Sequence, residues 1–289
     1  MNRKPQIGIL PDGRRLHLHD GPIDLIIEGW GKPACIASAY RAASERFSTV
    51  LDELCSELSY LRSQCRPENG WPSGTVARRM VAAVMPYSSQ TFITPMAAVA
   101  GAVAEEILET MTSAANLSRA YVNDGGDIAF HLRQGEQFVI GMVERPDTAA
   151  LLGTATLKFE DPIRGIATSG WPGRSFSLGI ADAVTVLADR AAAADAAATM
   201  IANAVDLPGN PAILRVPARK LAPDSDLGNR LVTQGVGELS TQEIEEALAR
   251  GVQHAELLLR MGLIRASAIF TRKGTAAKAP TDISAIAAV

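Results

Sequence analysis

The sequence has little cysteine, little aromatic content and little net charge. Its three cysteines are 20 and 10 residues apart, a spacing that matches neither a disulfide framework nor a Cys-x-x-Cys metal site. Its 28 basic and 31 acidic residues leave a formal charge of −3, which lacks the positive field that nucleic-acid binding requires. The apolar stretches are interrupted by Asp, Glu, Thr or Asn, and no signal-like apolar run follows the basic start. We therefore expect a cytoplasmic protein without nucleic-acid or membrane partners.

The chain has ample apolar material for a core. Its 289 residues are 47% hydrophobic, enough for one large domain. Strand-like and helix-like segments alternate irregularly, without repeated βαβ units, so an α+β fold is favoured over a doubly wound sheet. We predict antiparallel or mixed sheets with packed helices in a single domain over residues 1–271. The remainder, 272–289, is predicted to be a weakly ordered tail.

Apolar residues recur at intervals of three and four in several segments, which is typical of amphipathic helices. The longest such segment could alternatively mediate contacts between subunits, although such a face is more often part of the core. Strand periodicity dominates the first thirty residues and most of 120–188, with glycine-rich turns between the strands. The predicted helices cover residues 36–65, 75–87, 94–114 with Thr94 as N-cap, 189–205, and 240–262 with a Ser240–Glu243 capping box.

The segment AAAADAAATM carries one carboxylate and one hydroxyl four positions apart. On a helix, Asp195, Thr199 and Asn203 share one face, each a turn beyond the last. A polar stripe usually faces solvent, but Asp, Thr and Asn are poor residues for the middle of a helix. Carboxylate and hydroxyl oxygens suit Mg²⁺. The stripe thus has two interpretations, a cation or phosphate site and a set of structural polar contacts.

Two glycine-containing stretches could contribute to a ligand site. In VNDGGDI, Gly125 and Gly126 follow a strand, where backbone N–H groups can receive an anion or the edge of a ring. In GIATSGWPGRS, hydroxyls and amides stand close to Arg174, a combination suited to phosphate. Glycine turns are mostly only turns, so neither stretch is decisive alone.

These three stretches, taken in order, resemble the motifs of the ApbE-like superfamily, whose best-known members are FAD:protein FMN transferases that use Mg²⁺. The segments HDGPIDLIIE, TPMAAVAGAVAEEIL, GRSFSLGIADAVTVLA and DSDLG are more similar to its uncharacterised branch. The resemblance runs from about residue 15 to 271. It implies Mg²⁺ as cofactor and FAD or FMN as ligand or substrate, with a homodimer as the assembly we expect.

The resemblance also implies a role for individual residues. It makes Asp195 and Thr199 metal ligands, with a backbone carbonyl near Ala100 as a third. It assigns the lining of the cofactor site to Asn123, Gly125, Gly126, Asp127, Thr168, Ser169 and Gly170.

Two departures bear on the chemistry. The transferases carry a lysine where Gly101 stands, and a His-x-x-Asp-Pro-x-Thr-Gly segment that is shortened here to RSFSLGIAD. Asp182 is then the only nearby acid that could act as a base, and Arg174 could stabilise charge in the transition state. Two functions remain open. One is a Mg²⁺-dependent transferase-like enzyme, and the other is a non-catalytic protein that binds or delivers a flavin- or pterin-type cofactor.

Overall fold

The computed structural model describes residues 4–143, 151–271, 274–278 and 287–288. The chain forms two compact units. Unit 1 consists of Met1–Gln137, Lys158–Ile166 and Asp189–Ala194, and unit 2 of Phe138–Leu157, Ala167–Ala188 and Asp195–Val289.

Unit 1 contains an antiparallel meander. Its strands pair in chain order, and the first two residues of a later strand, β8 (Gly165–Ser169), pair with the last of them. Short turns rich in glycine connect the strands, as the sequence predicts. The strands are β1 (Gln6–Ile9), β2 (Leu16–Asp20), β3 (Ile23–Trp30), β4 (Arg119–Asp124) and β5 (Asp127–Leu132).

The predicted helix over 36–65 is wrong in its limits, because the structure has two helices there. The first, α1 (Pro33–Ser56), begins earlier, and α2 (Leu58–Leu61) follows after a break at Glu57, where φ is −111° and ψ is 13°. The Glu57 carboxylate accepts hydrogen bonds from the backbone N–H groups of Ser73 at 2.7 Å and Gly74 at 2.9 Å. These contacts with a distant loop accompany the break, and no local periodicity reveals them.

The other helices of unit 1 are α3 (Thr75–Val84) and α4 (Val99–Ala114). Helix α4 starts later than the predicted Thr94, because Pro95–Ala98 forms a 3₁₀ turn first. Ala98, with φ −137° and ψ 18°, lies outside the helical region and separates this turn from α4.

The core of unit 1 lies between one face of the meander and helices α1 and α4. The side chains here are almost completely buried. The strands contribute Leu25, Ile27 and Val122, and the helices contribute Phe47 and Ile107. The apolar face of α1 therefore serves the core of its own chain, which favours the core interpretation of this helix over subunit contacts.

Unit 2 is built from antiparallel strand pairs and two long helices. Strand β12 lies between β9 and β13, β10 pairs with β11, and β7 lies between β14 and β6. Helix α5 (Ala191–Ala204) begins in unit 1 and continues in unit 2. The remaining elements are β6 (Gln137–Val143), β7 (Leu151–Lys158), β9 (Ala183–Ala188), β10 (Ile213–Pro217), α6 (Ala218–Leu221), β11 (Leu231–Val236), α7 (Thr241–Arg260), β12 (Ala266–Thr271), β13 (Gly274–Lys278) and β14 (Ala287–Ala288).

These elements confirm the predicted α+β class, since in the described residues antiparallel pairs and helices follow one another without βαβ repeats. The capping box of α7 is also confirmed. Ser240 Oγ accepts from the Glu243 N–H, and the Glu243 carboxylate accepts from the Ser240 N–H at 2.7 Å. Within the predicted tail, 274–278 and 287–288 are strands and the other residues from 272 onward lie outside the described residues. The domain limit at 271 stays a prediction.

In the part of the chain that the structure describes, no helix combines the length and the apolar character needed to cross a bilayer.

Candidate functional site

The turn between β4 and β5 is a two-residue hairpin loop. Asp124 and Asp127 form the last pair of the ladder, and Gly125 and Gly126 between them have φ of 64° and 114°. A φ of 64° favours glycine, although asparagine or aspartate can adopt it, whereas a φ of 114° strains any side chain, so glycine is required at position 126. Asn123 Oδ1 accepts a hydrogen bond of 2.8 Å from the Gly126 N–H and braces the turn. The turn is as the sequence predicts, and the contribution of these residues to a ligand site stays a prediction.

The first turn of α4 packs directly against the backbone at the start of α5. A Cβ built on Gly101 would lie 2.4 Å from the carbonyl oxygen of Ala191, and one built on Gly165 of β8 would lie 2.2 Å from the Ala191 nitrogen. Real Cβ atoms do not come this close to other atoms. The Ala191 backbone therefore leaves no space for a side chain at position 101, where the resemblance places the lysine of the transferases. Ala100, the predicted carbonyl ligand, is the second residue of α4.

One turn beyond Gly101, Glu105 binds the first turn of α5. Glu105 Oε1 accepts a hydrogen bond of 2.8 Å from the Ala192 N–H, and Glu105 Oε2 forms an ion pair with Arg190 Nη2 at 2.7 Å. The first N–H groups of a helix have no partner inside the helix, so this carboxylate caps α5 from outside. Sequence analysis missed Glu105. The signal available to it was a pair of glutamates on a segment that is otherwise almost wholly apolar.

The neighbouring Glu106 joins α4 to two other helices. Glu106 is 8% exposed, and its carboxylate accepts from Arg46 Nε of α1 at 2.8 Å and from Arg79 Nε of α3 at 3.1 Å. Arg79 also forms an ion pair with Glu105 at 3.4 Å. Buried carboxylates are tolerated when charge-assisted hydrogen bonds satisfy them. This network fixes the helices on which the start of α5 rests.

The polar stripe of α5 stands out from its surroundings in the structure. Asp195, Thr199 and Asn203 are half-buried, whereas most of the alanines of the helix are fully buried, including Ala194, Ala196, Ala197, Ala198 and Ala202. The alanines pack the interior, and their small size lets α5 approach its neighbours closely. The three polar residues therefore lie on one face of α5, as their spacing of four predicts.

Asn203, the last member of the stripe, has a structural partner. Its Oδ1 accepts a hydrogen bond of 2.8 Å from the Leu178 N–H and one of 3.3 Å from Ser177 Oγ. Gly179 follows directly, and a Cβ there would lie 2.0 Å from the Ala202 carbonyl oxygen. Asn203 thus makes structural polar contacts, and the ligand roles of Asp195 and Thr199 stay predictions.

The strand end Thr168–Ser169–Gly170 belongs to unit 2. Thr168 Oγ1 lies 3.0 Å from Thr185 Oγ1 of β9, and a Cβ on Gly170 would lie 2.2 Å from the Asp182 carbonyl oxygen. The structure thus brings Gly170 and Asp182 together through their backbones. Arg174 lies in the connection that follows and is exposed. The catalytic roles of Asp182 and Arg174, and the ligand role of Ser169, stay predictions.

The donor set at Asp195 and Thr199 fits a hard cation. Among the described residues, no three His, Cys, Asp or Glu side chains lie close enough to hold a metal ion together. A cation at Asp195 would therefore complete its shell with hydroxyl, carbonyl or water oxygens, which Mg²⁺ accepts and softer metals do not favour.

Two surface depressions lie away from all these residues. One of about 280 Å³ is bordered by Asn210, Glu243 and Arg250, and one of about 460 Å³ by Asn116, His131 and Arg133. Both are shallow and polar, which is unlike a typical cofactor pocket, and the motifs give the stronger indication of a site.

Comparison with solved structures shows the class of fold. The crystal structure of the ApbE protein from Thermotoga maritima matches 96% of this chain and 97% of its own, with a TM-score of 0.52 and 12% sequence identity. The fold is thus that of an ApbE protein.

The family follows from the sequence. The model of the family described as "AbpE bacteria" matches residues 7–278, and the chain belongs to this family. A UPF0280 protein from Methanococcoides burtonii is 40% identical over 133 residues, 46% of this chain and 53% of the relative. A UPF0280 protein from Methanocella arvoryzae is 34% identical over 175 residues, 60% of this chain and 66% of the relative. The chain thus spans from about half to two thirds of the length of these curated relatives.

Proposed function

We propose that this protein binds a flavin nucleotide together with Mg²⁺, with Asp195 and Thr199 as side-chain ligands of the metal. The observation that carries the proposal is their placement, half-buried and one turn apart on a helix that is otherwise largely buried. Such oxygen ligands match the preference of Mg²⁺. The ordered motifs that resemble the ApbE-like superfamily support a flavin as the nucleotide, and the ApbE fold agrees with them.

Bound Mg²⁺ would neutralise the phosphate oxygens of the nucleotide and so favour its binding. The residues of the chain would contact the nucleotide and, in a transfer reaction, move the proton and stabilise charge. Thr168 and Gly125 are both exposed, and the resemblance assigns each of them to the lining of the cofactor site. In a transfer reaction, the oxygen of an acceptor hydroxyl would bond to the FMN phosphorus of FAD as the bond from that phosphorus to the AMP oxygen breaks, with AMP as the leaving group. Asp182 would take the hydroxyl proton, and the guanidinium of Arg174 would stabilise negative charge on the phosphate.

One observation favours a second candidate, binding or delivery of a flavin- or pterin-type cofactor without transfer. The backbone of Ala191 fills the space beside Gly101, so α4 presents no cation at that position. A pocket can persist in a family whose chemistry has changed. The two candidates share Asp195 and Thr199 and differ only in whether product forms.

Calorimetric titration of the purified protein with FAD and with FMN, each with and without Mg²⁺, tests the proposal. We expect Mg²⁺ to strengthen nucleotide binding, and Asp195→Ala or Thr199→Val to weaken it by about tenfold or more. Asp189→Asn is the matched control, because this exposed carboxylate lies two residues before the start of α5 and is outside the stripe. If neither FAD, FMN nor Mg²⁺ binds or shifts the melting temperature, the proposal is wrong.

Incubation with FAD, Mg²⁺ and a peptide containing Thr and Ser separates the two candidates. Formation of a peptide that carries FMN, together with AMP and absent in Asp195→Ala, would establish transferase chemistry, and tight binding without either product would establish binding alone. Native mass spectrometry of freshly purified protein would show a retained ligand, and it would also test the homodimer that we propose as the assembly.

A further inference from the structure

The N-terminus of α5 is held by a side chain from another helix. Ala192 is the second residue of α5, and its N–H donates to Glu105 Oε1 at 2.8 Å. Glu105 is only 9% exposed, so water does not readily replace this contact. The helix therefore depends on Glu105 for one of the hydrogen bonds that its own backbone cannot supply.

Glu105 is itself oriented by two arginines. Arg190 donates to Glu105 Oε2 from Nη2 at 2.7 Å and from Nε at 3.2 Å, and Arg79 Nη1 lies 3.4 Å from the same oxygen. With Oε2 engaged by the guanidinium groups, Oε1 is directed at Ala192. The close approach of Gly101 to Ala191 leaves this turn little room to shift.

We propose that Glu105 is a positioning residue for the cation site, because it sets the first turn of the helix that carries Asp195. Asp195 follows Ala192 by three residues, about one helical turn. An α-helix transmits a displacement of its first turn to the next, so a shift at Ala192 moves the Asp195 carboxylate relative to its cation. The inference rests on the proposed function of Asp195 as a metal ligand.

Three substitutions separate the reach of this side chain from its charge. Glu105→Gln keeps the length but removes the charge, and its amide nitrogen must face either the two arginines or the Ala192 N–H, so one of these contacts is lost. Glu105→Asp keeps the charge but is one methylene shorter, and Glu105→Ala removes both. We expect all three variants to weaken Mg²⁺ binding, with a loss of about tenfold or more in Glu105→Asp and Glu105→Ala and a smaller loss in Glu105→Gln.

Glu109→Ala is the matched control. Glu109 lies one turn further along α4 and pairs with the same Arg79, but its side chain is 64% exposed and it has no hydrogen bond to α5. Its loss should leave Mg²⁺ affinity unchanged. Affinity is measured calorimetrically with Mg²⁺ alone, on variants whose circular dichroism shows that they are folded.

Hydrogen exchange without metal provides a second measurement. Exchange at residues 191–195 should rise by about tenfold in Glu105→Asp and Glu105→Ala but not in Glu109→Ala. Mg²⁺ binding that is equal in wild type, Glu105→Asp and Glu105→Ala would overturn the positioning role, as would unchanged exchange. Absence of Mg²⁺ binding in wild type, together with the expected exchange pattern, would instead remove the proposed function and leave the anchoring of α5 in place.

Discussion

Gly101 of α4 lies in backbone contact with Ala191 of α5. A Cβ at position 101 would lie 2.4 Å from the Ala191 carbonyl oxygen and 2.7 Å from the Ala192 nitrogen. Both atoms belong to the backbone of a helix and cannot rotate away as the end of a side chain can. Any residue larger than glycine would therefore have to push the two helices apart.

Gly101→Ala should accordingly destabilise the protein. Alanine favours helix by about 1 kcal/mol over glycine, but overpacking costs about 1–3 kcal/mol or more, so we expect a net loss in the free energy of unfolding. Gly101→Lys should lose more. Urea unfolding followed by circular dichroism measures both effects.

Gly235→Ala serves as the control for this comparison. A Cβ at Gly235 would meet Leu214 Cβ at 3.7 Å, an ordinary contact, so stability should change by less than about 0.5 kcal/mol. A Gly101→Ala protein as stable as wild type would show that α4 and α5 are not in the contact described.

The parts of the fold that could be predicted depend on interactions between residues close in the sequence. The reciprocal hydrogen bonds between Ser240 and Glu243, and the pair of glycines at 125 and 126, involve residues at most three positions apart, and the structure has both. The break at Glu57 depends instead on the N–H groups of Ser73 and Gly74. Sequence periodicity does not report such distant partners, which is why one long helix was predicted.

The same limit applies to the candidate site. A spacing of four placed Asp195, Thr199 and Asn203 on one face without any knowledge of the fold. Two contacts of α5 could not be predicted in this way. The hydrogen bonds of Asn203 with Leu178 and of Glu105 with Ala192 join residues that are far apart in the sequence, so they depend on the tertiary fold. Neither residue can be classified as structural or functional until its partner is known.

Asn203→Ala should destabilise the protein without affecting metal binding. The substitution leaves the partly buried Leu178 N–H without its acceptor, which costs at most the roughly 1–3 kcal/mol of an unsatisfied buried donor. Urea unfolding should show this loss, whereas calorimetric Mg²⁺ affinity should remain within about twofold of wild type. A tenfold loss of Mg²⁺ affinity in the folded variant would instead make Asn203 part of the cation site.

The cysteines should differ sharply in reactivity. Burial raises the pKa of the Cys65 thiol, which is 4% exposed, whereas Cys55 lies at the surface. Because the thiolate is the reactive form, Ellman's reagent at about pH 8 should label Cys55 rapidly and Cys65 only after unfolding. Variants that keep one cysteine each, with serine at the other positions, show which cysteine gives each labelling rate. Equal rates for Cys55 and Cys65 in the folded state would contradict the burial of Cys65.

The ion pair between Arg46 and Glu53 gives stability a specific dependence on pH. Arg46 donates to both Glu53 oxygens, at 2.7 Å and 2.8 Å, and this lowers the pKa of Glu53 from its ordinary value of 4.5. A carboxyl whose folded pKa is lowered contributes stability above its unfolded pKa, and loses it as pH falls through the folded pKa. Wild type should therefore exceed Glu53→Gln in unfolding free energy at neutral pH, and the difference should shrink below about pH 5.

Glu246→Gln is the matched control for this pH dependence, because it removes a more exposed ion pair, the one with Arg250, that has a single contact of 2.7 Å. Exposed pairs of this kind contribute about 0.2–1 kcal/mol. The unfolding free energy of this variant should therefore follow that of wild type more closely at every pH. Urea unfolding between about pH 7 and pH 3 measures all three proteins. A gap between wild type and Glu53→Gln that stays constant across this range would mean that Glu53 stabilises through its shape and packing, since only a contribution from its charge disappears on protonation.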